Sequence, residues 1–167
     1  MHHRVFLYSL AVALVIAMPA AAAGTVRLGA FKAYFFSSKT GALSADMLAK
    51  GAPAMGNVPS GDYASVSTFI AVRVDFKREA PVPQGLRIRL LAIESGAMPF
   101  SSGRTKSRDR IILDSTTTLG PANADGSTYV GFWLPNTGCR SIGLKAHLVG
   151  VKNAPTLSEM LPFTCYE

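Results

Sequence analysis

Ser65-Val66-Ser67-Thr68-Phe69-Ile70-Ala71-Val72-Arg73-Val74-Asp75-Phe76 alternates with a period of two. Val66, Thr68, Ile70, Val72, Val74 and Phe76 make an apolar face, and Ser65, Ser67, Arg73 and Asp75 lie on the other, mostly polar one. That is the pattern of a half-buried β-strand, whose successive side chains point to opposite faces. Leu86 to Glu94 repeats it, with Leu86, Ile88, Leu90 and Ala92 set against Arg87 and Arg89. The intervening Pro81-Val82-Pro83-Gln84-Gly85 reads as a turn, so the two strands are expected to pair as an antiparallel hairpin.

Working outward, strands are expected at Thr25 to Phe36, Arg110 to Thr118, Thr128 to Leu134, Ser141 to Val149 and Thr156 to Thr164. Turn-rich stretches separate them: Ser38 to Gly41, Asn123 to Gly126, Asn136 to Gly138 and Asn153 to Pro155. Only Leu43 to Lys50 reads as a helix, about two turns long, with Ser44 as N-cap and Leu43, Met47 and Leu48 on one side. Strands with one apolar face must bury it against another layer, which predicts an all-β, Ig-like, two-sheet antiparallel sandwich of about seven strands. A small closed β-barrel is the competing solution. Two connections, Gly51 to Ala64 and Ser95 to Asp109, exceed hairpin length and are the first places to expect a partner site.

The chain has 167 residues, 49% of them hydrophobic, and a formal charge of +7. That apolar content excludes a disordered charged tail and suits one domain. Met1 to Arg4 is a short basic start, Val5 to Met18 an apolar run of 14 residues, and Ala20 to Ala23 a small-residue segment after Pro19. A membrane span needs about 20 apolar residues. Residues 1–23 are therefore expected to be a cleaved secretory signal, leaving 24–167 as a single domain, periplasmic or extracellular, with no transmembrane span. Cleavage removes one cation, and the remainder keeps a charge of +6.

Two cysteines, Cys139 and Cys165, are too few for a structural zinc site or a disulfide-dense miniprotein. In an oxidising compartment they are expected to form one bridge closing a loop of about 27 residues, fastening the C-terminal strand to the turn after Trp133. The sequence carries no C-x-x-C, which removes the usual redox motif.

Catalytic motifs are wanting. Lys39-Thr40-Gly41 matches one element of penicillin-recognising serine enzymes, but the accompanying Ser-x-x-Lys and Ser-Asp-Asn are missing, and a turn explains it better. A calcium loop around Asn123 to Gly126 would place Pro121 and Phe132 at ligand positions, which excludes it; Asp125-Gly126 reads as a hairpin turn. His147 is the only histidine beyond the leader and shares a polar strand face with Lys145, so it is expected to face solvent. Glu94, Asp109 and Asp114 are the carboxylates whose convergence would support a cell-wall or polysaccharide hydrolase. No metal or cofactor is implied.

Arg104, Lys106, Arg108 and Arg110 alternate through the second long connection, next to Arg87 and Arg89. Such a cluster would attract an anionic envelope polymer, with Asp109 and Asp114 neutralising part of it. No nucleic-acid module is recognisable, and an exported chain makes nucleic acid a poor partner. Tyr129 and Trp133 flank Gly131 on one strand face. Were Val130, Phe132 and Leu134 the core side, they would present a flat platform of the kind that stacks on sugars. Aromatic burial favours the opposite expectation, Trp133 in the core beside the cysteine pair.

Phe132-Trp133-Leu134-Pro135-Asn136-Thr137-Gly138-Cys139 and Leu161-Pro162-Phe163-Thr164-Cys165-Tyr166-Glu167 resemble the C-terminal half of small exported bacterial proteins with paired cysteines. The similarity extends back to Thr40-Gly41-Ala42-Leu43-Ser44 and the Ser65 strand. It implies export and the bridge, and carries no activity or catalytic residue with it. The resulting expectation is an exported, non-catalytic protein that binds an envelope polymer or another exported protein. The alternatives are a hydrolase, or a secreted inhibitor or accessory subunit docking through Met98-Pro99-Phe100.

Overall fold

Among the described residues, alternation of apolar and polar residues builds seven strands: β1 (Val26–Phe35), β2 (Ser67–Phe76), β3 (Arg87–Glu94), β4 (Arg110–Thr118), β5 (Ser127–Pro135), β6 (Ile142–Val149) and β7 (Leu157–Leu161). They belong to a computed structural model that describes residues 25–56, 67–77, 84–96 and 108–163. All pairings are antiparallel, in a three-stranded sheet ordered β1-β2-β5 and a four-stranded sheet ordered β4-β3-β6-β7. The sheets are not closed into a barrel; β1 lies beside β7, and β5 beside β4, at the two open sides of a sandwich.

Between the layers lie inward residues of β2 and β5 from one sheet and of β3 and β6 from the other. Ile70, Val72 and Val74 of β2 and Val130, Phe132 and Leu134 of β5 meet Ile88, Leu90 and Ala92 of β3 and Ile142, Leu144 and Ala146 of β6. Each large side chain so buried contributes about 1.5–3 kcal/mol. Thr68 and Thr137 are polar residues within this core, and their hydroxyls satisfy one another at 2.7 Å.

Two expectations are corrected. β2 and β3 do not form a hairpin: β2 pairs with β1 and β5, whereas β3 pairs with β4 and β6. A hairpin would set both apolar faces on one side of one sheet, still needing a cover. Crossing to the other layer lets the two faces cover each other, and the chain crosses in this way three times, after β2, β4 and β5.

The segment Leu43 to Lys50 is also not a helix; no helix occurs among the described residues. A tight turn at Ser38 to Gly41 returns the chain along the outer edge of β1, where Leu43 bridges Phe36. The Ser44 and Met47 amides donate to the carbonyls of Phe35 and Ala33 at 2.9 and 2.7 Å. In return the Phe35 amide donates to Ser44 Oγ at 2.9 Å, and the Ala33 amide to Asp46 Oδ1 at 3.1 Å. Ser44 and Asp46 thus use the side-chain oxygens that would cap a helix to satisfy a strand edge instead.

Phe163 joins the core beneath β1. Phe163 is buried and stacks on Phe35 at 5.6 Å between ring centres.

Candidate functional site

The register of the three-stranded sheet decides which outward side chains meet. Tyr34 of β1 lies opposite Phe69 of β2, which lies opposite Trp133 of β5. The next outward row is Lys32, Ala71 and Gly131, and the one after it sets Arg73 beside Tyr129. The aromatic rings form a continuous patch. Phe36 meets Trp133 edge-on at 5.5 Å between centroids, Phe69 lies 5.8 Å from Trp133, and Tyr34 6.4 Å from Phe69. Trp133 and Tyr129 stay 43% and 44% exposed, so this is surface and not core.

Gly131 is what lets the patch lie flat: a Cβ added there would run into the Phe69 ring, which rests across the glycine. Beyond it the Lys32 ammonium sits 5.5 Å from the centroid of Tyr129, within cation–π reach.

The expectation that Trp133 is a core residue is therefore corrected. Val130, Phe132 and Leu134 occupy the inward phase of β5, and a strand of period two cannot bury both sets in one layer interface. Phe36 and Phe69 as neighbours of Trp133, and Lys32 and Arg73 as neighbours of Tyr129, are not visible in the sequence pattern. The available signal was Phe69 standing at an outward position between Ser67 and Ala71, where a wholly solvated face would carry a polar residue.

Within the basic cluster expected from the sequence, two described arginines, Arg89 and Arg110, are ion-paired. Arg89 is engaged by Asp114 through paired bonds of 2.6 and 2.5 Å. Arg110 bonds Glu94 at 3.0 Å, and Arg140 lies 3.9 Å from the same carboxylate. Arg87 and Arg108 are exposed, while Arg104, Lys106 and Met98-Pro99-Phe100 lie outside the described residues. Of the carboxylates weighed for catalysis, Glu94 and Asp114 lie on opposite faces of their sheet. Glu94 lies in the inward phase of β3, Asp114 points outward opposite Leu91, and Asp109 accepts the Gly96 amide at 3.0 Å. His147 lies on the outer face of β6 with Lys145, as expected, while Ile142, Leu144, Ala146 and Leu148 face inward. Among the described residues no cluster of His, Cys, Asp or Glu could hold a metal. No helix among them is long and apolar enough to cross a membrane.

Among the described residues, the carboxyls of Asp114 and Asp125 are held below the usual range. The Arg89 hydrogen bond does this for Asp114, and the Ser127 hydroxyl and amide, at 2.8 and 2.9 Å, do it for Asp125. A carboxyl whose folded value is depressed adds stability above its unfolded value of 3.8, and that stability is lost as pH falls through the folded value. Asp125→Asn keeps an acceptor oxygen but cannot titrate. Urea unfolding at about pH 5 and about pH 2.5 is expected to show a smaller acid loss in this variant than in wild type. An equal loss would contradict the role of the Asp125 bonds.

No family model and no curated protein matches the chain.

Proposed function

We propose that the protein is an exported, non-catalytic β-sandwich that binds an extended envelope polysaccharide on the aromatic face of its three-stranded sheet. The exposed Trp133 and Tyr129, set on one face of β5 with Gly131 between them, carry this reading. Their backbones are about 13 Å apart at the rise of a strand, so they offer two stacking points to a chain laid along β5. The scattered ion pairs around Glu94 and Asp114 favour binding over hydrolysis.

Export rests on the leader pattern of residues 1–23 and places the domain in the periplasm or outside the cell. The bridge between Cys139 and Cys165 belongs to the same reading. No free thiol occurs among the described residues, and Cys165 lies outside them. The resemblance to small exported bacterial proteins with paired cysteines is consistent with both. Docking on another exported protein is the second reading. The opposite outer face favours it through the row Ile111, Ile93, Gly143 and Met160, in which Ile111 and Met160 are exposed.

Trp133 is the only tryptophan, so its fluorescence reports on the site directly. Titration with soluble acidic and neutral polysaccharides is expected to give a saturable change in emission with at least one of them. Tyr129→Ala is expected to weaken that binding about tenfold, with the melting temperature nearly unchanged. Emission unmoved by every polymer would overturn the reading.

A further inference from the structure

We infer that the polysaccharide bound on this face is acidic, with its acid groups seated among Lys32, Arg73 and Arg27 at the Tyr129 end of the aromatic patch. The inference rests on the aromatic-face reading and names its substrate class. Arg73 lies opposite Tyr129 in the register, on the flank of β5 next to the ring that Lys32 overhangs. One row further, Asp75 lies opposite Arg27. Its carboxylate accepts from Arg73 Nε at 2.6 Å and approaches Arg27 Nε at 3.5 Å.

The stacking order of these charges matters more than their number. The Asp75 side chain is 18% exposed, against 40% for Arg73 and 77% for Arg27, so the carboxylate lies beneath and the two guanidiniums stand above it. Gly29 makes this possible: a Cβ there would sit 2.9 Å from Asp75 Oδ2 and press on the Arg73 stem. An irregular register between Leu28 and Phe31 widens the edge at the same place, leaving a recess of about 440 Å³ lined by Arg27, Gly29, Arg73 and Asp75.

Lys77 borders the adjoining recess with Arg27. The local opposing charges are Asp75, already shared by two arginines, and Asp125, whose oxygen is taken up by Ser127. Four cations therefore face two engaged carboxylates. A neutral sugar chain would stack on Trp133 and Tyr129 but gain nothing from the net positive charge beside them. A uronate or phosphate-bearing chain would match both, and arginine forks suit either acid group.

The test compares polygalacturonate with its fully methyl-esterified form, the same sugar chain without charge, and adds polyglutamate as charge without sugar. Trp133 emission provides the binding curve. Polygalacturonate is expected to bind at least about tenfold more tightly than the ester, with the gap closing at about 0.5 M salt. The gap should close likewise in Lys32→Gln and in Lys32→Gln with Arg73→Gln, each checked for an unchanged circular-dichroism spectrum. Equal binding of acid and ester overturns the inference and leaves the aromatic-face reading standing. Binding of neither pectin form, or polyglutamate binding as tightly as polygalacturonate, likewise overturns the inference, while the aromatic-face reading falls only if the wider polysaccharide titration also leaves the emission unmoved.

Discussion

Leu134→Ala is expected to lower the unfolding free energy by about 2–5 kcal/mol, whereas Trp133→Ala, one residue earlier, costs only about 1–2 kcal/mol. Leu134 is fully buried between the sheets, so its truncation leaves a cavity that Ile70, Phe132 and their neighbours cannot collapse to fill. Trp133 touches Phe36 and Phe69 on one side and solvent on the other, and its loss removes only those outer contacts. The binding signal is expected to follow the opposite order, lost in Trp133→Ala and retained by whatever fraction of Leu134→Ala is folded. For this pair, polysaccharide binding is read by sedimentation or calorimetry, which need no tryptophan, and stability by urea unfolding. Equal stability costs would refute the assignment of the two faces of β5.

Breaking the proposed link between Cys139 and Cys165 is the other large effect. A closed loop of about 27 residues restricts the unfolded chain by roughly 3.5 kcal/mol, corresponding to a fall in melting temperature of roughly 10 °C in a domain of this size. Cys165→Ser should reproduce what reductant does to wild type, and reductant should then do nothing further to the variant. Cys139 follows Asn136 and Gly138, whose positive φ values turn the chain away from β5, so the link would fasten that turn to the end of the chain. Two titratable thiols in material isolated from the oxidising compartment, or a melting temperature indifferent to reductant, would remove the bridge from the account.

The strands were legible because each central one needs a single apolar face, and a period of two is visible without knowing the partner. Ile70, Val72, Leu90, Ala92, Leu144 and Leu148 all lie where alternation puts them. Pairing was not legible, since β2 and β3 carry the same pattern whether they share a sheet or face each other across the core. The Leu43 to Lys50 segment misled for a related reason. Ser44 and Asp46 satisfy open backbone amides equally well at a helix start and along a strand edge, and only the nearness of Ala33 and Phe35 selects the second use. Trp133 misled because the tendency of aromatic residues to be buried was set against the phase of its own strand. Val130, Phe132 and Leu134 fix that phase. The candidate site draws Lys32, Tyr34, Phe69, Arg73 and Trp133 from three strands, so its membership appears only once the register is known.

The way Ser44 and Asp46 are used along β1 also bears on how copies of this protein behave when concentrated. An exposed strand edge is a template on which a neighbouring molecule can add itself, and repeated addition grows a fibre. Over Ala33 to Phe35 that template is already occupied by the chain's own returning arm, and two of its bonds go to side chains where an invading strand would need carbonyls. Self-templated growth is blocked there without a charge or a proline, which leaves the outer face of the sheet free to keep its aromatic rings.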